Sequence, residues 1–306
     1  MTAIATTPIP ELIPAGTAVV GPSRSAVVAR QLRRLGALAL RAGITVVALL
    51  WLLPTAGLAI ASLRSPADNS ATGWWNVFAA PSELTLSNYG RVLGDPAILG
   101  SLWNTVLITV PATILVVAIG SLAAYALSWV EFRGREVLFV ITVALNVVPI
   151  QVAIIPDATI FRYLGVYGHI AAVVAFHVAF GLPFAIFLLR NFFASIPREL
   201  IEAARVDGAN DRMIFTRVVL RVGWPAVASL AIFEFLWVWN DLLVALVFAT
   251  SDNAPITYAL REQTRAFSSN IDIIGPGSLL SMLIPLLVFF LFQRYFVQGV
   301  LAGSMK

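Results

Sequence analysis

At 306 residues the chain is long enough for about two soluble domains, yet 59% of it is hydrophobic and only 12% charged, against roughly 25% in ordinary soluble proteins. A mean hydropathy of +0.88 argues against a water-covered surface and for one helical bundle in a bilayer. Cysteine is absent, the single lysine is Lys306, and the two histidines, His169 and His177, lack HExxH spacing. Those counts exclude disulfides, thiolate chemistry, a P-loop and a histidine-based metal motif, so no cofactor or metal is expected on this chain. The pI near 9.8 does not indicate nucleic acid, because the basic residues are scattered between apolar blocks in the manner of membrane topology.

Residues 1–23 are rich in Pro, Thr and Ala and lack the charged start, apolar run and cleavage site of a signal peptide. They read as a disordered cytoplasmic tail, which we carry to residue 36, ahead of a membrane domain over 37–306. Six apolar stretches then reach the roughly 20 residues that a helix needs to cross the hydrocarbon core. They are Leu38–Leu63, Leu99–Trp129, Val137–Pro156, Ile170–Phe193, Trp224–Thr250 and Ser278–Val297. Pro54, Pro111, Pro149, Pro183 and Pro285 fall inside them, as membrane bundles tolerate. The runs are continuous rather than alternating, which argues against a strand barrel. The predicted class is therefore all-α, a polytopic bundle of six transmembrane helices.

With the N-terminus inside, the inward segments hold Arg24, Arg30, Arg33, Arg34, Arg41, Arg133, Arg135, the six arginines from Arg190 to Arg221, Arg294 and Lys306. Outside remain Arg64, Arg91, Arg162, Arg261 and Arg265, so the bias places both termini in the cytoplasm. Two sizeable segments, 64–98 and 251–277, then lie outside. Trp74 and Trp75 of the first suit a membrane interface.

Between the fourth and fifth stretches lies a segment from Ser195 to Pro225 too densely charged for lipid. Pro197 suits a first helical turn, and Glu199 and Glu202 suit the positive end of a helix. Ile201, Ala204 and Val206 read as its apolar face. Asp207-Gly208 reads as its stop, and Asn210 or Asp211 caps a second helix through Leu220. Two readings of this helix–turn–helix stand side by side: an amphipathic connector resting on headgroups, or a docking element with Ala203 and Ala204 as its small-residue surface.

The segment resembles the cytoplasmic EAA loop of permease subunits in bacterial ABC importers. That pattern is EAA, three residues, Gly, nine residues, then Ile-x-Leu-Pro. Here Glu202, Ala203, Ala204, Gly208, Val218 and Leu220 stand in register, with Arg221 in place of the usual proline. The resemblance covers about residues 38–306. NVVPIQVAIIP, GLPFAIFLLRNFFASIPREL and FEFLWVWNDLL are similar to carbohydrate-importer permeases of the six-helix maltose type, and the ending from Asn270 looks closest to α-glucoside permeases. It implies a type I importer permease that forms half of a heterodimeric pore with a second permease subunit. It also implies two cytoplasmic ATPase subunits that hold ATP and Mg and receive the loop 195–222, with Asp207 among its coupling residues. An extracytoplasmic sugar-binding protein would deliver the cargo, an α-glucoside or oligosaccharide. This chain would then carry no enzymatic chemistry and would sit in the bacterial cytoplasmic (inner) membrane as a multi-pass subunit.

Ionisable residues inside membrane helices are functional candidates by default. Glu234 and His177 fall at similar depth on the fifth and fourth stretches, and we expect a bonded pair that faces the translocation path, or else a purely structural role. Asn240 and Asp241 lie nearer the outer end, where they either line the external mouth or close a helix contact. Trp237 and Trp239 suit sugar stacking or, more simply, interfacial anchoring. Asn146 and Gln151 face either the pathway or a neighbouring helix. In the maltose-type family the loop matching 253–277 enters the binding protein. Arg261, Glu262, Gln263, Thr264 and Arg265 give it a polar tip for that contact, or else the loop is merely solvated. The C-terminal GVLAGSMK resembles the family tail that reaches the ATPase. Two rival functions are weighed: an ion-coupled secondary transporter, which leaves the EAA spacing unexplained, and an intramembrane enzyme, for which no nucleophile–base constellation is visible. The loop does not settle the cargo, since a permease for a non-sugar solute would share it.

Overall fold

The computed structural model describes residues 24–265 and 270–302. The tail 1–23 and the last four residues of GVLAGSMK lie outside them. Among the described residues every regular element is helical, with one isolated bridge between Arg64 and Leu84. The chain divides after Ala56 into two compact units, the first of which contributes most of the long helix α1 (Arg24–Ser62). Helix thus begins at Arg24, ahead of the tail boundary expected at residue 36.

In the second unit, α2 (Pro96–Trp129) runs for 34 residues, about 50 Å at 1.5 Å per residue, longer than the hydrocarbon core alone requires. Its start follows from sequence: the Asp95 side chain accepts from Ala97 N at 2.9 Å, and Pro96 takes the first turn, where its missing N–H costs nothing. Helix α5 (Ile170–Ala194) packs directly on α2. A methyl group on Gly120 would stand 2.9 Å from Ala185 Cβ, so the two backbones meet as small-residue contacts allow.

The expected third span, Val137–Pro156, is not one helix. It is α3 (Arg135–Leu145) and α4 (Ile150–Tyr163), bent by 102° across Asn146–Pro149. The fifth, Trp224–Thr250, is α7 (Trp224–Trp239) and a short α8 (Leu243–Phe248), interrupted at Asn240–Leu242. Among the described residues four helices are long and apolar enough to cross a membrane, or up to six if α3 with α4, and the helix Asp211–Val222 with α7, each count as one span. Between α5 and α7 lie α6 (Arg198–Val206) and the helix Asp211–Val222, the latter bent by 76° from α7. After α8 come α9 (Ile256–Arg265) and α10 (Ile271–Ala302).

Among the described residues the two larger of three apolar clusters hold the bundle. One joins Val116, Ala124, Tyr125, Leu189 and Phe193 to Ile201, Ile214 and Val219, so it seats the polar loop against α2 and α5. The other gathers Ile108, Ala158, Phe176, Val238 and Phe248 around α5 and the α7–α8 break. The segment between α1 and α2 is organised by Arg64, which is fully buried. Its guanidinium pairs with Glu83 and donates to Thr72 Oγ1 at 2.9 Å, while Asn88 Nδ2 donates to the Ser62 and Arg64 carbonyls. Trp74 packs over Gly57, whereas Trp75 is exposed.

Candidate functional site: a docking loop and a polar helix break

The polar loop folds as the turn chemistry predicts. Helix α6 ends at Val206, and Gly208 follows with φ +82°, a left-handed conformation that only glycine adopts without strain. Asn210 Oδ1 accepts from Met213 N at 2.9 Å and starts the next helix. Pro197 stands one position earlier than expected, as the cap residue ahead of Arg198. Residues Ile214–Val219 are π-helical, a widening frequent at functional sites. Tyr125 OH reaches Asp211 Oδ1 at 3.3 Å and its ring packs 5.2 Å from that of Phe215, which ties this helix to the end of α2.

The two faces of α6 are separated cleanly. Ile201 is buried and Ala204 packs on the core, while Glu202, Ala203 and Asp207 are exposed. Val206, read from sequence as part of the apolar inner face, is 88% exposed and belongs to the outer one. At about 100° per residue it shares a stripe with Ala203 and Glu202 and lies far round from Ile201. The outer face of α6 is therefore small and partly apolar at its centre with carboxylates at its edges. Val218 and Leu220 turn the other way, partly buried against the core.

The second group of residues surrounds the α7–α8 break. Glu234 is 3% exposed, and its Oε1 has no hydrogen-bond partner. It does not pair with His177. It lies against Gly181, one turn further along α5, where a methyl group would stand 2.7 Å from Oε1. His177, 1% exposed, instead has Nε2 at 3.7 Å from Asp241 Oδ2, too long for a hydrogen bond, with Trp237 edge-on to its ring at 5.2 Å. Asp241 has a largely buried side chain. Its carboxylate accepts from Val244 N and Ala245 N at 3.1 Å and so caps α8, and its carbonyl accepts from Thr257 Oγ1 at 2.6 Å. Asn240 is exposed, and its Nδ2 donates to Leu236 O at 2.7 Å, closing the end of α7.

Trp239 is fully buried and donates Nε1–H to Ser281 O at 3.1 Å, so it is a core residue rather than an interfacial one. Trp237 remains 36% exposed. Asn146 and Gln151 flank the α3–α4 bend with exposed side chains, and Asn146 Nδ2 returns to Thr142 O at 3.3 Å.

The break is joined to α9. Beyond the Thr257–Asp241 contact, Ile256 N donates to Thr105 Oγ1 at 2.8 Å, and Asn253 Nδ2 donates to Gly168 O at 2.5 Å. Glu262 and Gln263 line a cleft of about 420 Å³ together with Asp95, Asn104, Asp252 and Tyr258. Arg261 pairs with Glu262 at 3.0 Å, and Thr264 Oγ1 donates to Arg261 O. Arg265 closes α9, and its side chain lies outside the described residues.

Comparison with known proteins fits this geometry. The family model described as "Binding-protein-dependent transport system inner membrane component" matches residues 116–302, from mid-α2 through α10. The chain is 46% identical over 268 residues to the osmoprotective compounds uptake permease protein GgtD of Synechocystis sp., covering 86% of this chain and 90% of that one. It is 43% identical over 233 residues to the alpha-glucoside transport system permease protein AglG of Rhizobium meliloti, covering 74% of this chain and 61% of that longer one. Among solved structures, a chain of a bacterial ABC transporter involved in the import of the acidic polysaccharide alginate superposes with a TM-score of 0.75. That match has 26% identity and spans 90% of this chain and 98% of that one.

Proposed function

The chain belongs to the family of binding-protein-dependent transport system inner membrane components, and from that premise we propose how its two sites divide the work of import. It is a multi-pass membrane permease of a carbohydrate ABC importer. In our reading it supplies half of the pore in the cytoplasmic membrane, with both termini inside, and a second permease subunit supplies the other half. Residues 195–222 dock on one of two ATPase subunits, which hold ATP and Mg and perform all hydrolysis. The observation that carries this reading is the exposed stripe Glu202–Ala203–Val206, presented on a helix whose opposite face is locked into the bundle. A partner that grips the stripe moves α5 and α7 with it, since Ile201, Ile214 and Val219 share one core with Leu189, Phe193 and Leu230.

On the opposite side we assign α9 and the cleft beside it, with Arg261, Glu262, Gln263, Thr264 and Arg265, to a sugar-binding protein. The exposed Asn146, Gln151, Trp237 and Asn240 are the pathway candidates, and Glu234, His177 and Asp241 form the buried polar joint behind them. ATP-driven closure of the partners then turns the pore outward, and the shift is set by the partners' different affinity for the two states. We infer an α-glucoside or oligosaccharide as cargo from the likeness to the AglG protein, while the likeness to the GgtD protein favours an osmoprotective compound as a second reading. The test is the complex purified with its native partners and screened for binding-protein-dependent ATPase stimulation. No stimulation by any α-linked glucoside would sink the first cargo. Transport that survives loss of the ATPase partners would favour an ion-driven carrier.

A further inference from the structure

A groove of about 490 Å³ runs along the membrane domain between α2 and α7. Ile114, Val117 and Leu122 form one wall, and Leu220, Trp224 and Val227 the other. From Thr113 to Leu122 it extends along ten residues of α2, about 14 Å at 1.5 Å rise per residue. Its walls present no charge, and Ser121 turns its hydroxyl back to Val117 O at 2.6 Å within its own helix. One end lies mid-bundle and the other at the 76° bend where the polar loop meets α7. Trp224, exposed at that end, is the residue type that marks headgroup depth.

Arg221 follows Leu220 directly and precedes Trp224 by three residues, and both of those line the groove, so its backbone stands at that end within a side chain's reach of it. Arg221 is exposed, as is Arg217 one turn before it, and neither has an ion pair among the described residues. An apolar slot that takes about 14 Å of an acyl chain, an exposed tryptophan at its end and unpaired cations in the adjoining turns are complementary to one kind of molecule, a lipid with a negative headgroup.

We propose that this groove is a binding site for an anionic phospholipid of the leaflet nearest the polar loop. One acyl chain lies between α2 and α7, and the phosphate meets Arg221, with Arg217 as second cation. The proposal goes beyond the transport reading and gives Arg221 a function at the position where a proline was expected. The bound lipid bridges α2 and α7 beside the loop that docks the partner, so headgroup charge would bear on how firmly that loop is held.

The test uses the complete importer in nanodiscs, in a complex whose partner subunits carry no reactive cysteine. This chain has none of its own, so Leu122→Cys on the groove rim takes a single bimane label. Brominated phosphatidylglycerol and brominated phosphatidylcholine are compared as quenchers at equal mole fraction. A cation near the membrane surface favours an anionic lipid by about fivefold. We expect phosphatidylglycerol to quench several-fold more effectively, Arg221→Gln to remove the preference, and Arg221→Lys to keep it. Equal quenching by both lipids in the unsubstituted background overturns the proposal. Absence of quenching by either overturns it in another way, because the groove is then covered by protein, as a second permease subunit would do. If Leu122→Cys does not assemble, Ile114→Cys on the same rim reports the same comparison.

Discussion

Gly181→Ala tests whether the buried joint of α5 and α7 is set by backbone proximity. The added methyl would lie 2.7 Å from Glu234 Oε1, 3.0 Å from Oε2 and 3.1 Å from Cδ. All three contacts fall well inside an ordinary van der Waals separation. All three atoms belong to the far end of the Glu234 side chain, which is buried and so has little room to shift. Either the Glu234 side chain leaves its rotamer or the helices part by several tenths of an ångström. Overpacking of this kind costs about 1–3 kcal/mol. We expect the assembled complex to lose several degrees of thermal midpoint and to transport poorly. The sharper measurement is the double-mutant cycle with Glu234→Ala. That change removes the atoms the methyl strikes, so Gly181→Ala is then nearly free, and the coupling energy approaches the full cost of the single substitution. If the two effects add within about 0.5 kcal/mol, Glu234 is not what requires glycine at 181 and the reasoning fails.

Val206→Asp adds charge to the centre of the α6 stripe, next to Asp207 and near Glu202. As a change at an exposed position it is expected to alter the permease's own stability by no more than about 0.5 kcal/mol, while ATPase subunits pulled down with the permease fall tenfold or more. Retained partner binding would place the docking face elsewhere. Gly223→Ala puts a methyl 2.6 Å from Phe193 Cε1 and 2.8 Å from the Val219 carbonyl oxygen. Backbone cannot swing aside as a side chain can, so we expect a loss of about 1–3 kcal/mol in unfolding measurements and fewer solute molecules moved per ATP. Asp241→Asn keeps an acceptor for the α8 amides and should change stability little, since Asn and Asp cap about equally well; Asp241→Ala should cost about 1 kcal/mol more, read as a lower thermal midpoint. Equal losses for Asn and Ala would mean that the charge beside His177, not the cap, is what matters.

The long helices and the polar loop are legible because apolar run length, caps and glycine turns act locally. Asn210 and Gly208 do what their side-chain chemistry dictates wherever the loop is placed. The two broken spans escaped because hydropathy averages over a window and a window does not see direction. Both breaks nevertheless carry a signal. Asn146 and Pro149 fall together at the α3–α4 bend, where proline disfavours helix in the residue before it. Asn240-Asp241 at the α7–α8 break is a pair of residues that close one helix and start another.

Depth arithmetic placed Glu234 and His177 at one level, yet Glu234 on α7 meets α5 at Gly181, one turn beyond His177. Depth says nothing of azimuth, and azimuth gave Glu234 to Gly181 and His177 to Asp241. Val206 is a plainer case. Angular arithmetic alone sets it away from Ile201, so its exposure was readable before any coordinates.

Arg221 and Gly223 together explain where the loop bends. A proline at 221 would lack an N–H for the helical ladder and would tend to break the helix there. With arginine the helix continues through Val222, and the 76° turn falls at Gly223, followed by Pro225 in the first turn of α7. Gly223 is pressed against Phe193, the buried aromatic near the end of α5, so the bend is wedged between two membrane helices rather than hung from one. A force applied to the Glu202–Ala203–Val206 stripe therefore reaches α5 through Ile201 and Phe193, and α7 through Gly223. The π-helical turn at Ile214–Val219 lies between the stripe and that bend. A bound lipid at Arg221 would press on the same joint from the membrane side. Partner docking and headgroup charge would then act on one hinge, and the Gly223→Ala variant should blunt the response of transport to both.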